Sequence, residues 1–267
     1  MSALAMALSD GAVIAKRNII KIKRLPELVI WTTMSPIMFV VLFAYIFGSS
    51  INIPGVSYRE FLIAGVFAQT VVFGATSTGA GLAEDMTKGI VDRFRSLPMS
   101  RSAVLIGRTA SDVVINFISV VVMTITGLIV GWRIHTGPDK AVFGFLLLLL
   151  FAFAISWVMA YVGLKAPSVE VVQNASFMVI FPMTFIANTF VRAEVLPGPL
   201  KVIAEWNPVS SVAQSVREAF GNTSSAPVPD VWSLHNPIAY TLIWVGIILA
   251  IFVPLSVRQY QKAAARS

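Results

Sequence analysis

Six predominantly apolar stretches constrain the fold of this 267-residue chain more than any other feature. A bilayer core about 30 Å thick needs roughly 20 apolar residues for each helical span. Transmembrane barrels show short alternating segments, whereas this chain has continuous runs such as Phe143–Phe153. The sequence therefore predicts an all-α integral membrane protein with six transmembrane helices. We place these helices at Leu28–Phe47, Phe61–Leu82, Val113–Trp132, Val142–Leu164, Val171–Phe190 and Pro237–Val257.

The distribution of positive charge predicts how the chain is oriented. The formal net charge is +7, and fourteen of the 20 Lys and Arg residues fall on the side of the two termini. By the positive-inside rule, both termini are cytoplasmic in a multi-pass protein of the inner or plasma membrane. The basic charge is thus explained by topology and by attraction to anionic membrane lipids, and no nucleic-acid partner is predicted. The first apolar stretch lacks a cleavage pattern, so we expect it to be retained.

Residues 1–27 form an N-terminal segment in which apolar and basic side chains alternate. Its apolar residues at helical spacing predict an amphipathic helix on the cytoplasmic membrane surface. The alternative is a positively charged flank that only orients the first span. The apolar positions are Ala12, Ala15, Ile19 and Ile22, and the basic ones are Arg17, Lys21 and Arg24.

The longest cytoplasmic loop, Glu84–Arg101, is unusually rich in local order signals. Glu84 and Lys88 are i, i+4 partners in the favourable order, and residues 92–95 predict a second helical turn that Leu97-Pro98 ends. Ser100 then offers an N-cap for a helix that runs into the third span. A structured, charged projection of this kind predicts a docking site. The alternative is a solvated connector held by local charge pairs.

The connection between spans five and six, residues 191–236, is too long for a plain loop. It contains two apolar runs, Val195–Trp206 and Val209–Phe220, which are broken by Asn207-Pro208 and followed by Gly221. Neither run is long enough to cross a bilayer. We therefore predict a re-entrant helical pair that enters the outer leaflet and returns.

Sequence motifs of catalysis and of nucleotide binding are missing from the chain. It contains no phosphate-binding G-x-x-x-x-G-K-[ST] loop, no dinucleotide fingerprint, no nucleophile elbow and no H-E-x-x-H pair. With no Cys and two His, it offers no cysteine or histidine-rich metal site. Asp112 lies at the predicted start of span three, where a helix N-terminus would stabilise its charge. We expect a structural role for it rather than proton transport.

Residues that could line a transport pathway lie in the predicted spans. Phe and Met side chains can form an adaptable wall for an amphiphilic substrate, although lipid-facing Phe is the commoner explanation. Polar residues in the spans could line the same path or form interhelical hydrogen bonds. The small residues of Gly74–Gly81 predict a helix-packing face, with a conduit lining as the alternative. The pathway candidates are Phe39, Phe43, Phe67, Gln69, Phe73, Asn116, Asn174, Phe177 and Met178.

Two segments of the chain resemble the membrane subunit of type-2 ABC exporters, especially the daunorubicin-resistance permease group. In the cytoplasmic loop the resemblance rests on Glu84, Lys88-Gly89, Asp92-Arg93-Phe94-Arg95, Ser96-Leu97-Pro98, Ser100-Arg101 and Gly107-Arg108. In the external segment it rests on Asn207-Pro208-Val209, Arg217 and Gly221. Length, six spans, amphipathic start and re-entrant pair agree with the family, so the resemblance covers nearly the whole chain.

The resemblance implies one permease domain, residues 1–267, in which the loop 84–101 is a coupling helix that fits a separate ATPase subunit. Two permease chains would pair with two ATPases, and ATP and Mg would be bound by the partner, with no cofactor on this chain. The family exports lipids, polysaccharides or hydrophobic drugs, and an amphiphilic drug or lipid is expected here. By resemblance, the coupling residues are Glu84, Lys88, Gly89, Asp92, Arg93, Phe94, Arg95, Leu97, Pro98 and Arg101.

Two other classes of membrane protein remain as alternatives. An intramembrane lipid-modifying enzyme would need clustered acids, His or metal ligands at one depth. An ion-coupled transporter or channel would show buried acids or recognisable selectivity elements. The sequence has only the isolated Asp112 to offer for either. We therefore predict a transport subunit that is not itself an enzyme.

Overall fold

A computed structural model describes residues 26–48, 51–89, 103–227 and 229–266, together with Ala15 and Ile20. Within these residues the secondary structure is entirely helical. The helices are α1 (Pro26–Ile46), α2 (Tyr58–Gly74), α3 (Thr76–Thr87), α4 (Ala103–Val130), α5 (Pro138–Lys165), α6 (Val169–Ile186), a 3-10 turn (Ala193–Val195), α7 (Gly198–Trp206), α8 (Pro208–Phe220), α9 (Trp232–His235) and α10 (Pro237–Arg266).

Several helix ends are fixed by residues that the local sequence supplies. The Ser57 hydroxyl accepts a hydrogen bond from the backbone of Glu60 at the start of α2. The side chain of Asn207 caps α8 by accepting from the backbone of Val209 at 2.8 Å. Gly221 ends α8 with a φ of 74°, a conformation that favours glycine. These caps provide hydrogen bonds that helix ends otherwise lack.

The second predicted span is built from two helices, α2 and α3, which meet at Ala75. Hydroxyl groups act at this junction: Thr76 donates to the carbonyl of Phe73 at 2.7 Å, and Ser77 donates to the carbonyl of Gly74 at 2.8 Å. Side chains that bond to the preceding turn in this way commonly bend helices. The break therefore follows from the small polar residues after Gly74.

Helix α5 lies at the centre of the bundle, where it packs against α3, α4, α8 and α10. Its contact with α3 is very close, because a Cβ atom on Gly163 would overlap the backbone of Gly79. A Cβ atom on Gly79 would in turn lie 2.7 Å from the carbonyl oxygen of Met159. The small residues of the second span thus act as a helix-packing face.

Within the described part of the chain, five helical segments are long and apolar enough to cross a membrane: 58–87, 104–130, 138–165, 169–186 and 237–262. They correspond to predicted spans two to six. The helix of predicted span five ends at Ile186, whereas the prediction extended to Phe190. The first predicted span falls on α1, which has 21 residues, with a shorter apolar stretch at Thr33–Ile46. For the described residues, the prediction of an all-helical fold with several apolar spans is therefore confirmed, and the count of six spans stays a prediction.

The long connection between spans five and six contains the two predicted short helices, α7 and α8, with their break at Asn207. Almost all of α8 is buried against α2, α5 and α10. Re-entry into the bilayer stays a prediction. At the N-terminus, Ala15 and Ile20 are helical, and the remainder of residues 1–25 lies outside the described part of the chain.

Candidate functional site

The described part of the predicted docking loop is the end of α3. Lys88 Nζ lies 2.5 Å from Glu84 Oε1, so the predicted i, i+4 ion pair is present. Its hydrogen bond to Glu84 raises the pKa of Lys88. Gly89 follows with a φ of 63° and donates its backbone N–H to the carbonyl of Met86. Helix α3 ends at Thr87, so Glu84 lies in the last turn of this helix.

Most of the predicted coupling residues lie outside the described part of the chain. Residues 90–102 connect Gly89 to α4, which begins at Ala103. Their docking role, and the predicted cap at Ser100, therefore stay predictions. The residues concerned are Asp92, Arg93, Phe94, Arg95, Leu97, Pro98 and Arg101.

A group of polar side chains, which we call the Asp112 cluster, joins α3 to α4, the two helices that flank this loop. Its members are Ser77, Thr78, Arg108 and Asp112. Asp112 is completely buried and accepts hydrogen bonds from the hydroxyls of Thr78 and Ser77. Arg108 Nε lies 3.7 Å from Asp112 Oδ2, and Arg108 Nη2 donates to the carbonyl of Ser77 at 2.7 Å. A carboxylate and a guanidinium therefore cross-link the two helices that carry the loop.

The explanation of Asp112 by a helix N-terminus is wrong. Helix α4 is already helical at Ala103, so Asp112 lies more than two turns inside it. The helix dipole acts on charges within the first turn only. The neighbours that stabilise Asp112 are Arg108 and the hydroxyls of α3. This agrees with a structural role.

A second polar group, which we call the Arg217 cluster, lies at the opposite end of the α2–α3 segment. The Arg217 side chain is only 1% exposed. Its Nε donates to the carbonyl of Phe61 at 3.1 Å, and its Nη2 donates to the carbonyl of Thr189 at 3.2 Å. The guanidinium carbon also lies 3.5 Å from the centroid of the Phe61 ring. One side chain on α8 thus joins the start of α2 to the segment after α6.

The predicted motif residues Asn207 and Pro208 begin α8 and help to position Arg217. Asn207 caps the helix and also donates from its side-chain Nδ2 to the carbonyl of Met183 at 2.7 Å. Pro208 occupies the first turn, where a missing N–H is tolerated. At the other end of α8, the backbone N–H of Asn222 bonds to the carbonyl of Arg217 at 2.8 Å. The motif therefore holds the start of the helix, and the residue after Gly221 holds its end.

Several pathway candidates are buried within this one chain. Phe67 packs in an aromatic cluster with Trp132 and Phe220, with ring centroids 5.5 and 5.9 Å away. Asn116 donates to the carbonyl of Asp112 at 2.9 Å, which is a bond within its own helix rather than between helices. Gln69 is buried, and within the described residues its side-chain amide has no hydrogen-bond partner.

Other pathway candidates lie on α1 and α6. Phe39 and Phe43 are half-buried in a row of aromatic rings that includes Phe190, with Phe43 and Phe190 4.7 Å apart. Helix α6 buries one narrow face and exposes the others. Phe73 is half-buried with its ring 6.5 Å from that of Phe177, and the exposed candidates on α6 are Asn174, Phe177 and Met178. Which of these side chains line a pathway stays a prediction.

Sequence reasoning missed the partners of both buried charges. Ser77 and Thr78 belonged only to a run of small residues, and Phe61 and Thr189 were not singled out as partners of Arg217. The spacing of Arg108 and Asp112, four residues apart on one helix, was a usable signal for an ion pair. Backbone carbonyl partners leave no comparable signal in a sequence.

Comparison with known proteins identifies the family. Residues 11–220 match the model of the ABC-2 type transporter family. The chain is 31% identical over 249 residues to the daunorubicin resistance ABC transporter permease protein DrrB1 of Streptomyces coeruleorubidus, covering 93% of this chain and 85% of that protein. It is 23% identical over 238 residues to the probable doxorubicin resistance ABC transporter permease protein DrrC of Mycobacterium tuberculosis, covering 88% and 82%. It is also 22% identical over 214 residues to the putative transport permease ycf38 of Porphyra purpurea, covering 79% and 73%. This chain therefore belongs to the ABC-2 type transporter family of membrane permeases.

Proposed function

We propose that this chain forms half of the translocation pathway of an ATP-driven exporter, that a second permease chain supplies the other half, and that a separate ABC ATPase subunit drives transport. ATP and Mg are bound by that partner. Both termini face the cytoplasm, so the loop 84–101 meets the ATPase there. The substrate is hydrophobic or amphiphilic, drug-like or lipid-like. Family membership supports the transport role, and the named relatives support the substrate class, because two are described as drug-resistance permeases.

The Asp112 cluster is the observation that carries this proposal. A loop that receives motion from a partner must pass it to the membrane helices without flexing where it joins them. Here α3 and α4 enter and leave the loop, and Arg108 and Asp112 fasten the two helices together within about three turns of it. Helix α3 in turn packs closely on the central helix α5. A force on the loop is thereby transmitted to the centre of the bundle.

The external segment fits a position in the outer leaflet. Helix α7 exposes Val202, Ile203 and Trp206, whereas α8 is buried. A short helix with an exposed apolar face and a Trp at its end suits the interface between lipid and water. In the proposed topology α7 lies in the outer leaflet, and α8 enters the bundle beside α2, α5 and α10.

The exposed face of α6 suits a pathway shared with a second chain. Asn174, Phe177 and Met178 are exposed on a helix that is otherwise anchored through Val172 and Ser176. An amide beside an aromatic ring and a flexible thioether provides polar and apolar contacts for an amphiphilic molecule. We place this face at the pathway rather than against lipid tails.

The docking proposal is tested by reconstitution with a candidate ABC ATPase subunit. We expect the double variant Arg93→Glu/Arg95→Glu to lose complex formation and stimulated ATP turnover, because charge reversal across an interface places like charges together. Arg258→Glu on α10, predicted to lie on the same side of the membrane, is the matched control and should retain both. The measurements are co-purification and the ATPase rate in proteoliposomes. If both survive deletion of residues 90–100, the loop does not receive the ATPase.

A further inference from the structure

Arg217 is buried in direct contact with neutral groups. Its hydrogen bonds go to two carbonyls, of Phe61 and Thr189, and its third contact is the Phe61 ring. Within the described part of the chain, no carboxylate oxygen lies within 4.0 Å of a nitrogen of the Arg217 side chain. Glu194 pairs instead with Arg192, whose Nη2 lies 3.2 Å from Glu194 Oε1. An ionised group without a counter-charge in contact is costly to keep away from water. Its two carbonyl bonds and its ring contact offset this cost only while the junction is closed, and water can replace them once the junction opens.

One nitrogen of Arg217 and polar atoms of four other residues are also buried without hydrogen-bond partners among the described residues. They surround the same junction of α2, the end of α6 and the 3-10 turn, and each would gain a partner from water. A buried polar atom without a partner destabilises the conformation that buries it. The atoms are Arg217 Nη1, Tyr58 Oη, Asn188 Oδ1, Thr189 Oγ1 and Glu194 Oε2.

Gly65 permits the close contact on which the Arg217 bonds depend. A Cβ atom at Gly65 would overlap the backbone carbonyl of Thr189. This is the same carbonyl that accepts from Arg217 Nη2. Because the obstacle is backbone rather than a flexible side chain, a larger residue at 65 would push the segment after α6 away from α2. The Gly65 contact and the Arg217 bonds therefore both help to hold the segment after α6 against α2.

We propose that Arg217 is a latch that keeps the outer end of the bundle closed, and that its bonds to the Phe61 and Thr189 carbonyls break when that end opens to water. The two carbonyls belong to elements that must separate for the junction to open, and α8 carries the side chain that spans them. Opening exchanges neutral carbonyl partners for water and hydrates the neighbouring polar atoms. The statement that this end faces the outside, and that substrate leaves there, rests on the proposed function.

The absence of native cysteine allows a direct test. Thr189→Cys places a single thiol at a completely buried position whose hydroxyl makes no hydrogen bond among the described residues. Its rate of modification by a maleimide in detergent reports how often the junction opens. We expect Arg217→Gln to raise this rate at least about tenfold, equivalent to about 1.4 kcal/mol. Arg133→Gln, an exposed arginine that also donates to two carbonyls, is the matched control and should leave the rate unchanged.

A second thiol position separates opening from unfolding. Ser156→Cys lies completely buried in α5, far from the junction in sequence, and its labelling should stay slow in the Arg217→Gln background. If Arg217→Gln is not recovered folded, Gly65→Ala with Arg217 intact is used instead and should also speed labelling of Thr189→Cys. Labelling of Thr189→Cys that is equally slow in the folded variant overturns the latch.

The same labelling assay distinguishes failure of the latch from failure of the proposed function. Comparison of Thr189→Cys labelling with and without the Arg217→Gln change tests the latch alone, because it needs neither ATPase nor substrate. Addition of a candidate ATPase subunit with ATP to the Thr189→Cys protein tests the proposed function. Faster labelling in Arg217→Gln without any response to ATPase and ATP would support the latch and count against ATP-driven opening.

Discussion

The Asp112 cluster and the Arg217 cluster each bury a charge, but they satisfy it differently. Asp112 has an arginine and two hydroxyls as partners, whereas Arg217 has two carbonyls and an aromatic ring. Removing one member of a buried ion pair strands the other, so such a pair resists rearrangement. A charge with neutral partners can exchange them for water. The Asp112 cluster is therefore suited to transmit force between helices, whereas the Arg217 cluster is suited to release its bonds when water enters.

The two clusters also differ in what lies against their glycines. A Cβ atom on Gly81 would overlap the guanidinium of Arg108, which is the end of a flexible side chain. A Cβ atom on Gly65 would overlap the backbone carbonyl of Thr189. A side chain can adopt another rotamer, whereas backbone moves only with its whole segment. Alanine at the two glycines should therefore have different consequences.

The largest expected effect is that of Asp112→Ala, which leaves the mostly buried Arg108 without its carboxylate and the hydroxyl of Thr78 without its acceptor. We expect the free energy of unfolding to fall by about 3–5 kcal/mol. Denaturant unfolding in detergent, followed by helical circular dichroism, measures the change. The matched double variant Arg108→Met/Asp112→Ala should recover about 1–3 kcal/mol, because no charge is then stranded. Additive losses in the double variant would mean that the two residues do not act as a pair.

Gly65→Ala is expected to cost less than Asp112→Ala, at about 2–3 kcal/mol, because overpacking against backbone forces a segment to move. Alanine is the better helix former at this position in α2, so intrinsic propensity opposes the loss. Thermal unfolding measures the sum of the two effects. A Gly65→Ala protein as stable as the parent would show that the segment after α6 yields easily. Gly246→Ala on α10, which has open space around its Cβ position, is the control.

Gly81→Ala should cost about 1–2 kcal/mol, less than Gly65→Ala, because the Arg108 guanidinium can move aside. The displaced arginine loses its bond to the Ser77 carbonyl and part of its contact with Asp112. Comparison of the two alanine variants in one unfolding series tests the distinction between the clusters. If Gly81→Ala is the more damaging of the two, the Asp112 cluster is the less tolerant site.

Several features of the fold were predictable because they depend on local sequence. Asn207-Pro208 marks the break between α7 and α8, since Asn caps a helix and Pro fits its first turn. Glu84 and Lys88 pair because residues four apart share a helix face. The apolar runs predict the positions of the helices, because a span in lipid must satisfy its backbone hydrogen bonds within its own segment.

The partners of the two clusters were beyond prediction because they depend on how distant helices pack. Thr78 bonds to Asp112 across 34 residues of sequence, and Arg217 reaches the Phe61 carbonyl across 156. A carbonyl is present at every residue, so no residue type marks the one that Arg217 selects. The misplacement of Asp112 at a helix end has a local cause. Polar residues at positions 108, 109, 111 and 112 interrupt the apolar residues of α4, so the predicted span began at Val113 although the helix begins at Ala103.

The smallest effect on stability is expected at Lys88, directly after the end of α3, the helix that also carries Thr78. Lys88→Ala removes an exposed ion pair with Glu84 at the end of α3, and the thermal unfolding temperature should stay within experimental error. The matched control is Lys201→Ala, which removes an i, i+4 pair with Glu205 on α7. Only Lys88→Ala is expected to weaken association with the ATPase, because only Lys88 lies in the proposed docking loop. Titration of the ATPase subunit against both variants measures this difference, and equal affinities would place the contact elsewhere on the cytoplasmic surface.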